Sequence, residues 1–136
     1  MRAVIDTGEL VSALIRRQGT TGDVLRALHD GRFTATYSTD ILVEIIDVLG
    51  RPNFRQKYQI EPDDITTIIN LLRLRGEVVT PKRKIAACRD PKDDKFLEAA
   101  LATEIDCIVS GDADLLTLTP FENILILRPA EFLARL

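Results

Sequence analysis

The run Asp90-Pro91-Lys92-Asp93-Asp94-Lys95-Phe96-Leu97 and, further on, Cys107-Ile108-Val109-Ser110-Gly111-Asp112-Ala113-Asp114-Leu115-Leu116 set the architecture. The first run opens a helix expected to reach about Glu104. Asp90 is placed to cap it, and Pro91 takes its first position, where a missing N–H costs nothing. The second run is a buried strand, Cys107 to Ser110, which passes through Gly111-Asp112 into a short helix, Ala113 to Leu118. Helix, apolar strand and helix in direct succession indicate a parallel sheet covered by helices on both faces.

The same alternation runs along the rest of the chain. Arg2 to Ile5 reads as a strand ending at Asp6, and Leu10 to Arg17 as a helix. Thr20 or Thr21 is expected to cap a second helix carrying Val24, Leu25 and Leu28 and stopping at Gly31. Phe33 to Tyr37 has the content of a strand, and Ser38 or Thr39 then caps a helix from Asp40 to Leu49. A short helical piece is expected around Phe54 to Tyr58. Pro62 opens a longer helix in which Ile65, Ile68, Ile69, Leu72 and Leu74 keep helical spacing up to Gly76. Strands at Glu77 to Thr80 and Ile124 to Leu127, and a terminal helix from Pro129 to Leu136, complete the pattern. With no repeat, low-complexity stretch or linker, residues 1–136 are expected to form one three-layer α/β/α sandwich around a short parallel sheet.

Of the 136 residues, 46% are hydrophobic and 29% charged, enough apolar content to build a core without cross-links. No apolar stretch approaches the ~20 residues of a membrane span, and the start shows no signal-peptide pattern, so a cytoplasmic location is expected. Cys88, Cys107 and His29 lack the spacing of a zinc site, a disulfide framework or a thiol–imidazole pair, and read as two small packed thiols and a surface ring. The formal net charge of −3 argues against a passive basic-faced nucleic-acid binder. It does not argue against an enzyme that holds cations in an acidic pocket, where the bound ions supply the positive charge.

Four carboxylates fall where such a pocket would form. In open α/β sheets ligands bind beyond the carboxyl ends of the strands. Asp6 ends the first strand and Asp112 lies just past Cys107–Ser110, although each also suits a duller role as a helix N-cap. Glu44 borders the apolar face formed by Ile41, Leu42, Ile45, Val48 and Leu49, whereas Asp40 and Asp47 point further into solvent. Asp93 shares a helical face with Phe96, Leu97 and Ala100, and Asp94 falls on its edge. An inward carboxylate there needs a partner, and the alternatives are a cation or a capping box with Asp90. Four carboxylates so placed have the chemistry of a Mg²⁺ or Mn²⁺ site, because hard cations prefer oxygen ligands and water.

Taken together, Ala3-Val4-Ile5-Asp6-Thr7, Leu10-Val11-Ser12-Ala13-Leu14, the helix bearing Glu44, the Asp90-Pro91-Lys92-Asp93 run with Phe96-Leu97, and Val109 to Leu116 resemble PIN domains. The similarity is closest to the branch that supplies the toxins of toxin–antitoxin modules, and it spans essentially the whole chain. The resemblance implies a Rossmann-like fold and a Mg²⁺- or Mn²⁺-dependent endoribonuclease acting on RNA. It also implies an antitoxin partner and a homodimer. It maps the family's four acidic positions onto Asp6, Glu44, Asp93 and Asp112, with Thr7, Ser110, Asp94 and Asp114 in support.

One departure stands out. The family usually places Asn and an apolar residue after its Asp-Thr, and this chain has Gly8-Glu9. That change removes a polar side chain and adds a charge beside the acids, which brings in a second reading: a catalytically impaired PIN-like module that binds RNA or protein. The tripeptide Asp6-Thr7-Gly8 also mimics an aspartic-protease signature, but the chain has no second copy and is helix-rich after it. A phosphoacceptor receiver domain fails too, since the last lysine, Lys95, precedes the strand that would have to present one. Finally, Lys82, Arg83 and Lys84 form a basic loop placed to meet RNA phosphates, or only solvent.

Overall fold

A computed structural model describes residues 1–136. Five parallel strands, β1 (Arg2–Ile5), β2 (Thr34–Tyr37), β3 (Gly76–Val78), β4 (Cys107–Val109) and β5 (Leu125–Leu127), form one sheet in the order β3-β2-β1-β4-β5. Eight α-helices connect and follow them: α1 (Thr7–Ile15), α2 (Thr20–His29), α3 (Thr39–Gly50), α4 (Pro52–Tyr58), α5 (Pro62–Arg75), α6 (Asp94–Ala100), α7 (Ala113–Leu116) and α8 (Pro129–Leu133). This is the expected three-layer α/β/α architecture. Its strand direction of travel reverses at β1. Right-handed crossovers therefore put α1 to α5 on one face and α6 and α7 on the other.

The central strands are short because they are wholly sandwiched. Ala3, Val4 and Ile5 are paired in register with Cys107, Ile108 and Val109, and all six are buried. With apolar side chains on both faces, neither strand shows the polar alternation of a half-exposed sheet. Phe96, Leu97, Ala99 and Ala100 make α6 almost entirely internal. On the far side Phe132 of α8 meets Phe33 edge to face at 4.9 Å and 85° and is fully enclosed.

Several boundaries differ from the sequence pattern, each for a local reason. Helix α1 starts at Thr7 rather than Leu10, because the Asp6 side chain accepts the Gly8 N–H at 3.1 Å and caps it. Helix α2 is not capped by a threonine side chain; Gly19, at φ +138°, precedes it and Thr20 is already helical. Ser38 is the cap of α3, accepting the Ile41 N–H. Helix α6 stops at Ala100 instead of Glu104. Seven helical residues span about 10 Å, roughly the length of the short strands it covers. The chain must then turn back so that Asp106 can meet Arg2 at the start of β4.

The entry to α6 also changes phase. Pro91–Asp93 form a 3₁₀ turn, capped by the Asp90 side chain on the Lys92 N–H, and the α-helix begins only at Asp94. The tighter 3₁₀ winding rotates Asp93 away from the apolar face and puts Asp94 there. Asp94 is therefore the buried member of the pair, and Asp93 is half-buried, the reverse of the helical-wheel expectation.

Candidate active site

The strands β1 and β4 lie side by side, and their connections leave the sheet on opposite faces. That divergence opens a crevice at their carboxyl ends. Asp6 follows β1, and Ser110 to Asp112 follow β4. Ser110 is completely buried between them. Its hydroxyl donates to Asp6 Oδ2 at 2.7 Å and accepts the Asp112 N–H at 3.0 Å. A single hydroxyl thus orients one carboxylate and the backbone carrying the next. Asp112 also caps α7, accepting the Asp114 N–H at 3.2 Å. For Asp6 and Asp112 the capping role and the crevice position coexist, so they were not true alternatives.

Glu44 enters from α3 and is half-buried, while Asp40 and Asp47 on the same helix are exposed. The buried Thr7 hydroxyl donates to Glu44 Oε2 at 2.7 Å, and Lys95 Nζ stands 3.2 Å from Oε1. Asp93 comes from the 3₁₀ turn. Burial pushes its carboxyl up from the ordinary 3.8 to about 6, helped by the negative charges of Asp6, Asp112, Asp90 and Glu44. Burial likewise raises Asp6; the Ser110 and Gly8 hydrogen bonds oppose the shift, and the charges of Glu44 and Asp112 add to it. The four acids therefore share one electrostatic neighbourhood, although they come from four separate chain segments.

They are held apart rather than closed up. No three His, Cys, Asp or Glu side chains stand together tightly enough to grip an ion as arranged. The donor set is nevertheless made of carboxylate oxygens in a half-buried crevice, which suits a hard divalent cation and not a soft one. A cavity of about 580 Å³ lies at the opposite, amino edge of the sheet, lined by Arg2, Asp106 and Glu122 among others, and contains none of these acids. A wide hollow is not needed to admit a phosphodiester backbone to half-exposed carboxylates, and the carboxyl edge remains the better candidate.

The supporting residues divide. Thr7 and Ser110 hold Glu44 and Asp6, as described. Asp94 turns to the preceding loop, where its Oδ1 accepts the Ala87 and Cys88 N–H groups at 3.1 and 2.8 Å. Burial would raise its carboxyl, but those hydrogen bonds outweigh it and the net shift is downward. Asp114 is exposed, and only its backbone takes part in the turn.

Glu9 has a role the sequence did not reveal. Its Oε1 accepts the Gly111 N–H at 2.6 Å, tying the start of α1 to the loop after β4. Burial raises its carboxyl, the Gly111 bond opposes this, and the charge of Asp6 adds to it. Lys95 was also missed. The basic loop, by contrast, is partly diverted: Arg83 makes a two-pronged ion pair with Glu122, at the start of β5 and far from the acids, and only Lys82 and Lys84 remain exposed and unpaired. Of the two thiols expected to be buried, Cys107 is and Cys88 is half-buried against the core; both are pushed up to about 12, chiefly by burial. His29 is exposed beside Asp30.

The raised acids make a stability prediction. Between pH 3.8 and about 6 the folded chain binds more protons at Asp93 than the unfolded chain does. Stability therefore falls as pH rises through that window. The midpoint of thermal unfolding should be higher at pH 5 than at pH 7.5, and Asp93→Asn should shrink the difference. A midpoint that climbs with pH over this range would show that the crevice is not under charge strain.

A parallel sheet with spaced carboxylates around the diverging ends of its central strands defines a class of α/β proteins built around an acidic crevice. Within that class the chain belongs to the PIN domain family, whose model it matches over residues 2–114, a span that includes Asp6, Glu44, Asp93 and Asp112. It is 30% identical over 118 residues to an uncharacterized protein of Methanocaldococcus jannaschii, covering 87% of this chain and 75% of the relative. Its fold is similar to a chain in the crystal structure of VapBC2 from Rickettsia felis bound to a DNA fragment from their promoter. That match has a TM-score of 0.61 at 13% identity and covers 94% of this chain and 98% of the other. No helix is long and apolar enough to cross a membrane.

Proposed function

We propose that this chain is a divalent-metal-dependent endoribonuclease, the toxin of a toxin–antitoxin module, acting in the cytoplasm on RNA. The observation that carries the reading is the buried Ser110 hydroxyl, which joins Asp6 to the Asp112 backbone where β1 and β4 diverge, with Glu44 tied to Thr7 beside Asp6 and Asp93 entering from the 3₁₀ turn. Membership of the PIN domain family supports nuclease chemistry, and the likeness to VapBC2 supports an antitoxin partner. The homodimer implied by the family resemblance belongs to the same proposal.

Asp6, Asp93 and Asp112 would hold Mg²⁺ or Mn²⁺, with Glu44 at the border of the set. A bound ion supplies a water nucleophile at neutral pH and charge stabilisation at the phosphoryl oxygens. Ser110 restrains Asp6 through one hydrogen bond to Oδ2, and the carboxylate keeps lone pairs for a cation. Thr7 does the same for Glu44. Such hydroxyl partners sharpen a site because they orient carboxylates without adding charge.

A second reading, an impaired binding module, draws on one specific observation. Glu9 ends on the Gly111 N–H beside Asp112 and adds a carboxylate next to Asp6. Both readings meet one experiment, incubation of the purified chain with single-stranded RNA in Mn²⁺, in Mg²⁺ and in EDTA, alongside the double change Gly8→Asn with Glu9→Val. Space permits the first change, since a Cβ on Gly8 would have only Asp6 Oδ1 nearby, at 3.8 Å. Cleavage in Mn²⁺ that EDTA abolishes, and a faster double variant, is the outcome expected of an enzyme slowed by Gly8-Glu9. A chain that binds RNA but never cuts it, with or without the double change, rules the nuclease out and leaves the binding module.

A further inference from the structure

The acidic crevice contains one cation of its own. Lys95 Nζ lies 3.2 Å from Glu44 Oε1, with side chains only 19% and 25% exposed. Its ammonium also sits 5.8 Å from the centre of the Phe96 ring, a second interaction that favours this inward position over solvent. Asp6, Asp93 and Asp112 have no ion pair of any kind. Glu44 alone among the four is thus neutralised, and its other oxygen is taken by the Thr7 hydroxyl.

We infer that Lys95 is the resident second cation of the site, committing Glu44 to its ammonium so that one divalent ion is held by Asp6, Asp93 and Asp112. This rests on the metal-dependent reading above and deepens it. Many phosphodiester-cleaving sites place two ions about 3.5–4 Å apart, sharing carboxylates between them. Here a second ion would need Glu44, and would have to displace the Lys95 ammonium that already neutralises it. Lys95 supplies a fixed positive charge in that place, a compact, strongly hydrated point charge of the sort that meets phosphate without forked geometry. It acts through Glu44 on the metal count, and so is a positioning residue for the ligand set.

The test is a calorimetric titration of the full chain with Mn²⁺ near neutral pH, comparing the original protein with Lys95→Met and Lys95→Arg. The original chain should saturate at one Mn²⁺. Lys95→Met frees Glu44 and should take up a second ion, or hold one more tightly by about tenfold, opposite in sign to the loss of about 10- to 100-fold that follows removal of a partner supporting a metal ligand. Lys95→Arg keeps the charge and should keep the single ion, which separates loss of charge from loss of packing. Two ions in the original chain overturn the inference while leaving the metal-dependent reading intact, as does a Lys95→Met protein that matches the original in count and affinity. No Mn²⁺ bound by the original chain or by Lys95→Met overturns both. The original chain's count stands by itself even where a variant folds poorly.

Discussion

Asp6→Asn should cut RNA cleavage by more than about 100-fold while leaving the fold at least as stable as before. Outer partners of metal ligands, when changed, typically cost about 10- to 100-fold in affinity or activity, and Asp6 would be a ligand itself. Its carboxylate is fixed from both sides by Ser110 and Gly8, so no neighbouring acid can move into its place. An asparagine can keep one hydrogen bond to each support in a suitable rotamer, because its amide oxygen still accepts and its NH₂ can donate to the Ser110 oxygen. It also removes a negative charge from a crevice in which burial and two like charges already disfavour it. Cleavage by a gel assay and unfolding by calorimetry, run on the same preparation, read the two effects separately. A variant that cuts at the original rate would remove Asp6 from the chemistry. A variant that is inactive because it is unfolded would mean that the carboxylate serves the fold.

Phe132→Ala should destabilise the protein by about 3–5 kcal/mol, the usual cost of emptying a fully buried aromatic position. Phe132 is 0% exposed and packs edge to face on Phe33, at the foot of β2. It is what fastens α8 back onto the layer containing α2. The residue lies beyond the 2–114 span of the family match, so the measurement also asks whether the last segment belongs to the cooperative core. Urea unfolding followed by circular dichroism gives the figure. A loss below about 1 kcal/mol, the scale of an ordinary surface change, would show that α8 is an appendage.

Much of the architecture was legible because apolar runs and turn residues repeat with little ambiguity. Cys107-Ile108-Val109 and Ala3-Val4-Ile5 have no polar residue to suggest an exposed face, and both are central strands. The faces of α3 were legible for the same reason: Ile41, Ile45 and Leu49 are buried, and Glu44 sits at their border. The entry to α6 was not. A helical wheel assumes about 100° per residue from its first position, and the 3₁₀ turn at Pro91–Asp93 breaks that assumption before Asp94. Pro91 itself was the available signal, read as the start of an α-helix when it starts a tighter turn.

The acidic crevice was legible as a set of strand ends and one helix border. What it could not reveal was which residue faces which across the sheet. Lys95 is 51 residues from Glu44 in sequence, and Glu9 is 102 from Gly111. Both contacts depend on how far α3 and the loop after β4 lean over the carboxyl edge, and no local pattern records that. Glu9 was visible as a misplaced charge, yet its hydrogen bond to a backbone N–H gives it a mechanical role in the loop. Lys95 stood next to the acids in plain view. A lysine in an acid-rich turn reads as solvent-facing until Glu44 is placed opposite.

The single buried hydroxyl of Ser110 ties Asp6, at one end of the chain, to Asp112, near the other, across a sheet whose neighbouring strands are far apart in sequence. A polypeptide still emerging from the ribosome has Asp6 and Glu44 outside the tunnel well before β4 can dock beside β1. Until then Asp6 has no Ser110 to hold it, and Asp112 has no fixed position. The carboxyl edge is thus completed late, only once the segment carrying β4 has folded back beside the strand that began the chain.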